Sequence, residues 1–147
     1  DELLEHLVAI EGPYGVHRPA AQARSDIARG VEVARALGSA DVGQSVVVQQ
    51  GIVLGVEAVE GTDALIARAK NLSREGPGGV LVKLMKPGQD RRADLPSIGP
   101  ATVAAAGKAG LSGIAVEMGR ALVLDGDEIA RRADAAGIFV TGIKAQA

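Results

Sequence analysis

Two polar stretches of this 147-residue chain, Glu57–Asp63 and Lys83–Asp94, hold most of the side chains able to do chemistry. The second carries Lys83, Lys86, Gln89, Asp90, Arg91, Arg92 and Asp94 within twelve positions. Cations at the end of a strand suit phosphate oxygens, to which they give short, charge-assisted hydrogen bonds. Asp90 and Asp94 could share a hard cation such as Mg²⁺, which prefers oxygen ligands. A solvated turn whose charges pair among themselves accounts for the same residues. The first stretch sets Glu57, Glu60 and Asp63 around Gly61 and Thr62. An ordinary helix start explains Thr62 as an N-cap and Asp63 as a favourable charge in the first turn. Glu57 and Glu60 are left over, at the end of a buried strand. Strand ends beside helix N-termini are where α/β folds bind anions.

Other candidates carry less. His6 and His17 have no metal-ligand spacing and read as surface residues. Ser45, Ser97 and Ser112 have no histidine near them in sequence and no G-x-S-x-G setting, so a serine nucleophile is unsupported. Pro77-Gly78-Gly79 lacks the Walker pattern, and no G-x-G-x-x-G follows a strand. Glu117 and Arg120 flank a turn and read as a pair across it.

The elements that must position these loops follow from periodicity. From Ala20 to Leu37, Ala23, Ile27, Ala28, Val31, Ala34 and Leu37 recur at steps of three or four, predicting an amphipathic helix with Gly38 as its stop. Ser45–Gln49 and Ile52–Glu57 are β-branched runs about Gln50-Gly51, a hairpin signal. A second helix runs from Thr62 to about Leu72, before a Gly- and Pro-rich turn over Ser73–Gly79. Val80–Leu84 reads as a buried strand. The loop after it, about a dozen residues, is longer than most, and long ordered loops are often functional. Pro100–Ala109 is a third helix with Pro100 in a favoured first position. Gly113–Glu117 and Ala121–Leu124 read as a strand pair around Met118-Gly119-Arg120. Asp125 or Asp127 caps a helix to Ala136, and Phe139–Thr141 is a last short strand. The sum is an α/β fold: a mixed sheet with β-hairpins, covered by about four helices.

Composition narrows the function. Tyr14 and Phe139 are the only Tyr, Phe or Trp residues, so base-stacking platforms for single-stranded nucleic acid are absent. The net charge of −2 offers no basic stripe, and a nucleic-acid partner is not expected. Without cysteine there is no disulfide, thiolate metal site or thiol nucleophile. No apolar run approaches the ~18 residues of a membrane span, so any membrane contact is expected to be peripheral. Gly12, Pro13, Gly15 and Pro19 punctuate residues 1–19 as a linker would, after one or two helical turns over Glu2–Val8. With Asp1 rather than Met at its start, the chain is expected to be processed or a fragment of something longer. Residues 1–19 then read as a lead-in, and residues 20–147 as one compact α/β domain.

Longer strings are more specific. The run from Asp41 to Asp63, DVGQSVVVQQGIVLGVEAVEGTD, resembles the C-terminal domain of the LpxI-type UDP-2,3-diacylglucosamine hydrolases. So do Gly79-Val-Leu-Val-Lys, Lys86-Pro-Gly-Gln-Asp, Asp94-Leu-Pro-Ser-Ile-Gly-Pro and Gly113-Ile-Ala-Val-Glu-Met-Gly-Arg. The likeness runs in order from roughly Ser25 to Gly142 and leaves the segment around Ala9–Pro19 unassigned.

The resemblance implies hydrolysis of a pyrophosphate, releasing UMP and 2,3-diacylglucosamine 1-phosphate in lipid A biosynthesis of Gram-negative bacteria. Water attacks the α-phosphorus, a divalent cation such as Mg²⁺ is required, and the active site lies between this domain and an N-terminal one. The resemblance thus implies that residues 1–19 are the lead-in from a missing N-terminal domain and residues 20–147 the C-terminal α/β catalytic domain. Carried onto this sequence, Asp94 is the essential carboxylate, as metal ligand or as base, and Asp90 is the second catalytic candidate. Asp63 joins Asp94 as a metal ligand. Lys83, Thr62, Gln89 and Glu60 hold the substrate, Lys83 by neutralising diphosphate charge. A lipid-linked UDP-sugar as substrate implies a cytoplasmic protein, peripheral at the inner membrane. A module that binds a sugar nucleotide or phospholipid without turnover is the alternative. A structural domain is the third reading, and Ala-rich helices are compatible with a homodimer.

Overall fold

A computed structural model describes residues 8–85, 98–117 and 126–145. Along the chain run β1 (Val8–Tyr14), α1 (Ala21–Ser39), β2 (Ser45–Gln49), β3 (Ile52–Val56), α2 (Thr62–Lys70), β4 (Val80–Lys83), α3 (Pro100–Lys108), β5 (Gly113–Glu117), α4 (Gly126–Ala136) and β6 (Phe139–Ala145). The strands form one mixed sheet in the order β1-β6-β5-β4-β2-β3. Strands β4, β5 and β6 are mutually parallel. Antiparallel partners flank them, β2 and then β3 on one side and β1 on the other. The α/β class, the mixed sheet and the four helices expected from the sequence are all present among the described residues.

Alternation along the strands builds two aliphatic cores. Val46, Val48, Val80 and Val82 face α1, where they bury Ala23, Ile27, Val31 and Ala34. Val47, Leu81, Ile114 and Val116 point the other way, into a larger core with Leu65 and Ile66 of α2, Val103 and Ala106 of α3 and Ile129 and Ala133 of α4. Valine and isoleucine suit both demands: they favour the strand backbone and fill the space between sheet and helix. Helix α1 comes close to β4 at Gly30, where an added Cβ would lie 2.5 Å from the Val82 Cγ2. Gly38, expected to stop this helix, lies inside it, and Ala40 is the C-cap. No helix among the described residues is long and apolar enough to cross a membrane.

The hairpin forms as its sequence suggests. Gln50 and Gly51 both take positive φ, 54° and 77°, the requirement of the tight turn whose twist matches the strands. Asp26, 2% exposed on α1, holds this turn from the neighbouring layer. Its carboxylate accepts the Gln50 and Gly51 N–H groups at 3.1 and 2.9 Å, and the Gln22 amide at 3.0 Å. Asp26→Ala leaves those donors to find water at a crowded junction. Urea unfolding should show a loss of about 1–3 kcal/mol; an unchanged midpoint would mean that the turn holds itself.

The lead-in differs from its linker reading. Val8–Tyr14 forms an edge strand whose Pro13 is opposite Thr141. The Gly and Pro that suggested a linker are tolerated in such a strand, because proline there forfeits no central ladder bond and Gly12 sits at a register shift with φ of 153°. β6 is correspondingly longer than expected, continuing past Thr141 to pair with β1. The strand expected over Ala121–Leu124, the Asp125 cap, the helical turns before Val8 and most of the loop after Lys83 lie outside the described residues.

Candidate functional site

Strands β4 and β5 end on the same rim, at Lys83 and Glu117. Ser45, the first residue of β2, pairs with Lys83 across the antiparallel ladder. The chain leaving β3 returns to the same rim, where the Glu57 N–H donates to the Ser45 carbonyl at 2.9 Å. Helix α2 then starts beside it, with Gly61 as N-cap at φ 89°. A buried polar cluster results, at the carboxyl ends of parallel strands and the N-terminal end of a helix, where α/β folds place ligands.

Its centre is the Thr62 hydroxyl. Lys83 Nζ donates to Thr62 Oγ1 at 2.8 Å, and Ser45 Oγ lies 3.1 Å from the same oxygen. Thr62 Oγ1 in turn donates to Glu57 Oε2 at 3.4 Å, while Glu57 Oε1 accepts the Gln44 N–H at 2.9 Å. Lys83 is 8% exposed, Thr62 and Glu57 9%. Burial pushes the Lys83 ammonium below the ordinary lysine pKa, and the carboxylates of Glu57 and Asp63 partly restore it. At the mouth of the cluster Asp63 is exposed, its carboxylate accepting the Thr102 hydroxyl of α3 at 3.4 Å. Glu117 accepts the Met85 N–H at 2.7 Å, tying the chain after β4 to the end of β5. No buried side-chain nitrogen or oxygen among the described residues lacks a partner.

A fixed buried cation, two hydroxyls and carboxylates on one rim suit an anionic, oxygen-rich ligand. A family model described as the LpxI C-terminal domain matches residues 10–141. The chain belongs to this family. A relative from Caulobacter vibrioides, named UDP-2,3-diacylglucosamine pyrophosphatase LpxI, is 42% identical over 151 residues. That similarity takes in 99% of this chain but 54% of the relative, so the chain spans about half the relative's length. The LpxI resemblance read from the sequence is thereby shown.

Within this LpxI-family domain the expected site residues divide three ways. Lys83, Thr62 and Asp63 come together as described. Glu60 turns away: its carboxylate pairs with Arg68 at 2.9 Å and accepts the Ala58 N–H, and the Arg68 bond holds it below the usual carboxylate range. The same guanidinium donates to the Val56 carbonyl at 2.9 Å, so Glu60 and Arg68 together brace the end of β3. Asp94, Asp90 and Gln89 lie outside the described residues.

Thr62 corrects its sequence reading. Gly61 is the N-cap, no side chain caps α2, and the Thr62 hydroxyl is turned inward to Lys83. The helix-start signal was read one residue late, because Thr in that position satisfies the same pattern. Asp63 does stand in the first turn. Sequence reasoning set Ser45 aside for lack of a histidine and left Thr102 unmentioned. A serine opening the valine run of β2, directly across from the strand-ending lysine, was the signal available. Glu117 braces Met85; its expected partner Arg120 lies outside the described residues.

Proposed function

We propose that this chain is the catalytic domain of an enzyme that hydrolyses the pyrophosphate bond of UDP-2,3-diacylglucosamine. The products are UMP and 2,3-diacylglucosamine 1-phosphate, in lipid A biosynthesis at the cytoplasmic surface of the inner membrane. The observation that carries the reading is the Lys83 ammonium, nearly out of solvent and held by Thr62 at the strand rim of an LpxI-family domain. Lys83 meets a diphosphate oxygen and offsets its charge in a water-poor setting, where such a contact is worth most. Water attacks the α-phosphorus, the bond from that phosphorus to the bridging oxygen breaks, and the sugar 1-phosphate leaves. A carboxylate takes the proton of the attacking water, and Asp94 is the candidate. A second domain closes the cleft over the acyl chains.

A divalent cation belongs to this proposal. The donors on the rim are oxygens, hard in the sense that Mg²⁺ prefers. Among the described residues no three His, Cys, Asp or Glu side chains converge as a metal cluster, so Asp63 would supply one carboxylate and Asp94 would have to complete the set. When bound, such an ion neutralises phosphate charge and lowers the pKa of its water.

The test is UMP release from UDP-2,3-diacylglucosamine by the full-length protein, with Mg²⁺ or with EDTA. Release that EDTA stops and Mg²⁺ restores is the expected result. A folded protein that binds UDP yet releases no UMP would leave the chain as a sugar-nucleotide binding module instead.

A further inference from the structure

Glu57 has no role in the chemistry above, yet it is buried directly behind the cation that does. Its carboxylate is held by the Gln44 N–H and faces the Thr62 hydroxyl. A hydroxyl has one proton to give and two lone pairs with which to accept. At Thr62 these are fully assigned. The ammonium of Lys83 can only donate, so it takes one lone pair. The carboxylate of Glu57 can only accept when ionised, so it takes the proton. Ser45 must then donate to the second lone pair. The ammonium and the carboxylate together set the direction of every bond at Thr62, and Glu57 is the group that fixes where the hydroxyl proton points.

We propose that Glu57 is a positioning residue for this site: acting through the Thr62 hydroxyl, it fixes the Lys83 ammonium where it meets the diphosphate. At 3.4 Å the link from Thr62 to Glu57 is long for an O–H···O bond, so orientation and charge, more than bond strength, are what Glu57 supplies. Gly43 keeps the arrangement tight. A Cβ there would lie 2.2 Å from the Glu57 carbonyl oxygen, so the backbone just before Gln44 is pressed against Glu57. A lysine on a flexible four-carbon stem needs such fixing, because freezing its rotamers as the substrate binds otherwise costs side-chain entropy. The inference rests on the reading that this rim binds the diphosphate.

The experiment compares full-length wild type with Glu57→Gln, Thr62→Val, the double variant and Thr62→Ser, with melting temperatures as the folding control. Glu57→Gln keeps the shape but can donate to Thr62 where Glu57 could only accept. It should lower kcat for UMP release about 10- to 100-fold, the range seen for outer partners of active groups, with KM moving much less. The double variant should lose no more than Thr62→Val alone, since both changes cut one line of action. Thr62→Ser should recover most of what Thr62→Val loses. Wild-type kcat in Glu57→Gln, multiplying losses in the double variant, or no recovery in Thr62→Ser would each overturn the proposal. UDP affinity by calorimetry in the same proteins separates it from the hydrolase reading. A wild type that binds UDP without releasing UMP sinks the hydrolase, while the same non-additive pattern in affinity upholds Glu57 as the positioning residue and its absence overturns it. A wild type that neither binds nor turns over overturns both.

Discussion

Lys83→Met in the full-length protein should lower kcat for UMP release by about 10²–10³, the usual loss when one preorganised donor to a developing charge is removed. It should do so without lowering stability at neutral pH. The two halves of this expectation have one cause. A buried ammonium gives up its hydration, and for Lys83 this loss outweighs the attraction of Glu57 and Asp63, so its pKa falls. Methionine matches the length of most of the stem and asks for no hydration. Glu57 keeps the Gln44 N–H and the Thr62 hydroxyl, so the substitution does not strand it. The sign of the pH dependence follows. The folded protein releases the Lys83 proton at lower pH than the unfolded chain does. Between the lowered value and the ordinary lysine pKa of about 10.4, the unfolded chain therefore binds more protons, and stability rises with pH through that window. Below it the charged form is present in both states and the burial penalty is constant. Urea unfolding of wild type across the alkaline range should show this gain, and Lys83→Met should lack it. A variant that keeps wild-type turnover would remove Lys83 from the site.

Why some of this was legible in the sequence and some was not follows from which forces act locally. Hairpin β2–β3 is written in its own residues: Gln50-Gly51 can adopt positive φ, and β-branched runs flank it. Helix α1 is written in its period. Strand β1 is not, because an edge strand gains its stability from β6, more than a hundred residues away, and carries the same Gly and Pro that a linker does. The polar cluster divides in the same way. Lys83 is conspicuous as a charge ending an apolar strand. Thr62 looks like a cap because capping is a local pattern, and only the packing of α2 against the β2–β4 rim turns its hydroxyl to Lys83. The hairpin sets Glu57 beside Ser45, but no spacing in the sequence brings Thr62 to them or Thr102 to Asp63, because that takes the packing of α2 and α3 on the rim. Glu60 shows the reverse error: a carboxylate in the right loop, drawn off by Arg68 from the last turn of α2.

Asp94→Ala should abolish most of the metal-dependent activity, by at least about 10²–10³ in kcat. The informative comparison is its response to Mg²⁺ beside that of Asp63→Asn. If Asp94 is a metal ligand, removing it weakens a site that depends on few carboxylates. The Mg²⁺ concentration giving half-maximal activity should then rise, and excess Mg²⁺ should return part of the loss. Asp63→Asn should move the same midpoint in the same direction, since its exposed carboxylate has a 3.4 Å contact with Thr102 as its one hydrogen bond among the described residues and is otherwise open to a cation. If Asp94 is instead the base, its loss should leave the Mg²⁺ midpoint in place, lower kcat at every Mg²⁺ concentration and flatten the acid limb of the pH–rate profile. Full activity in Asp94→Ala would sink both roles and move the search for the essential carboxylate to Asp90.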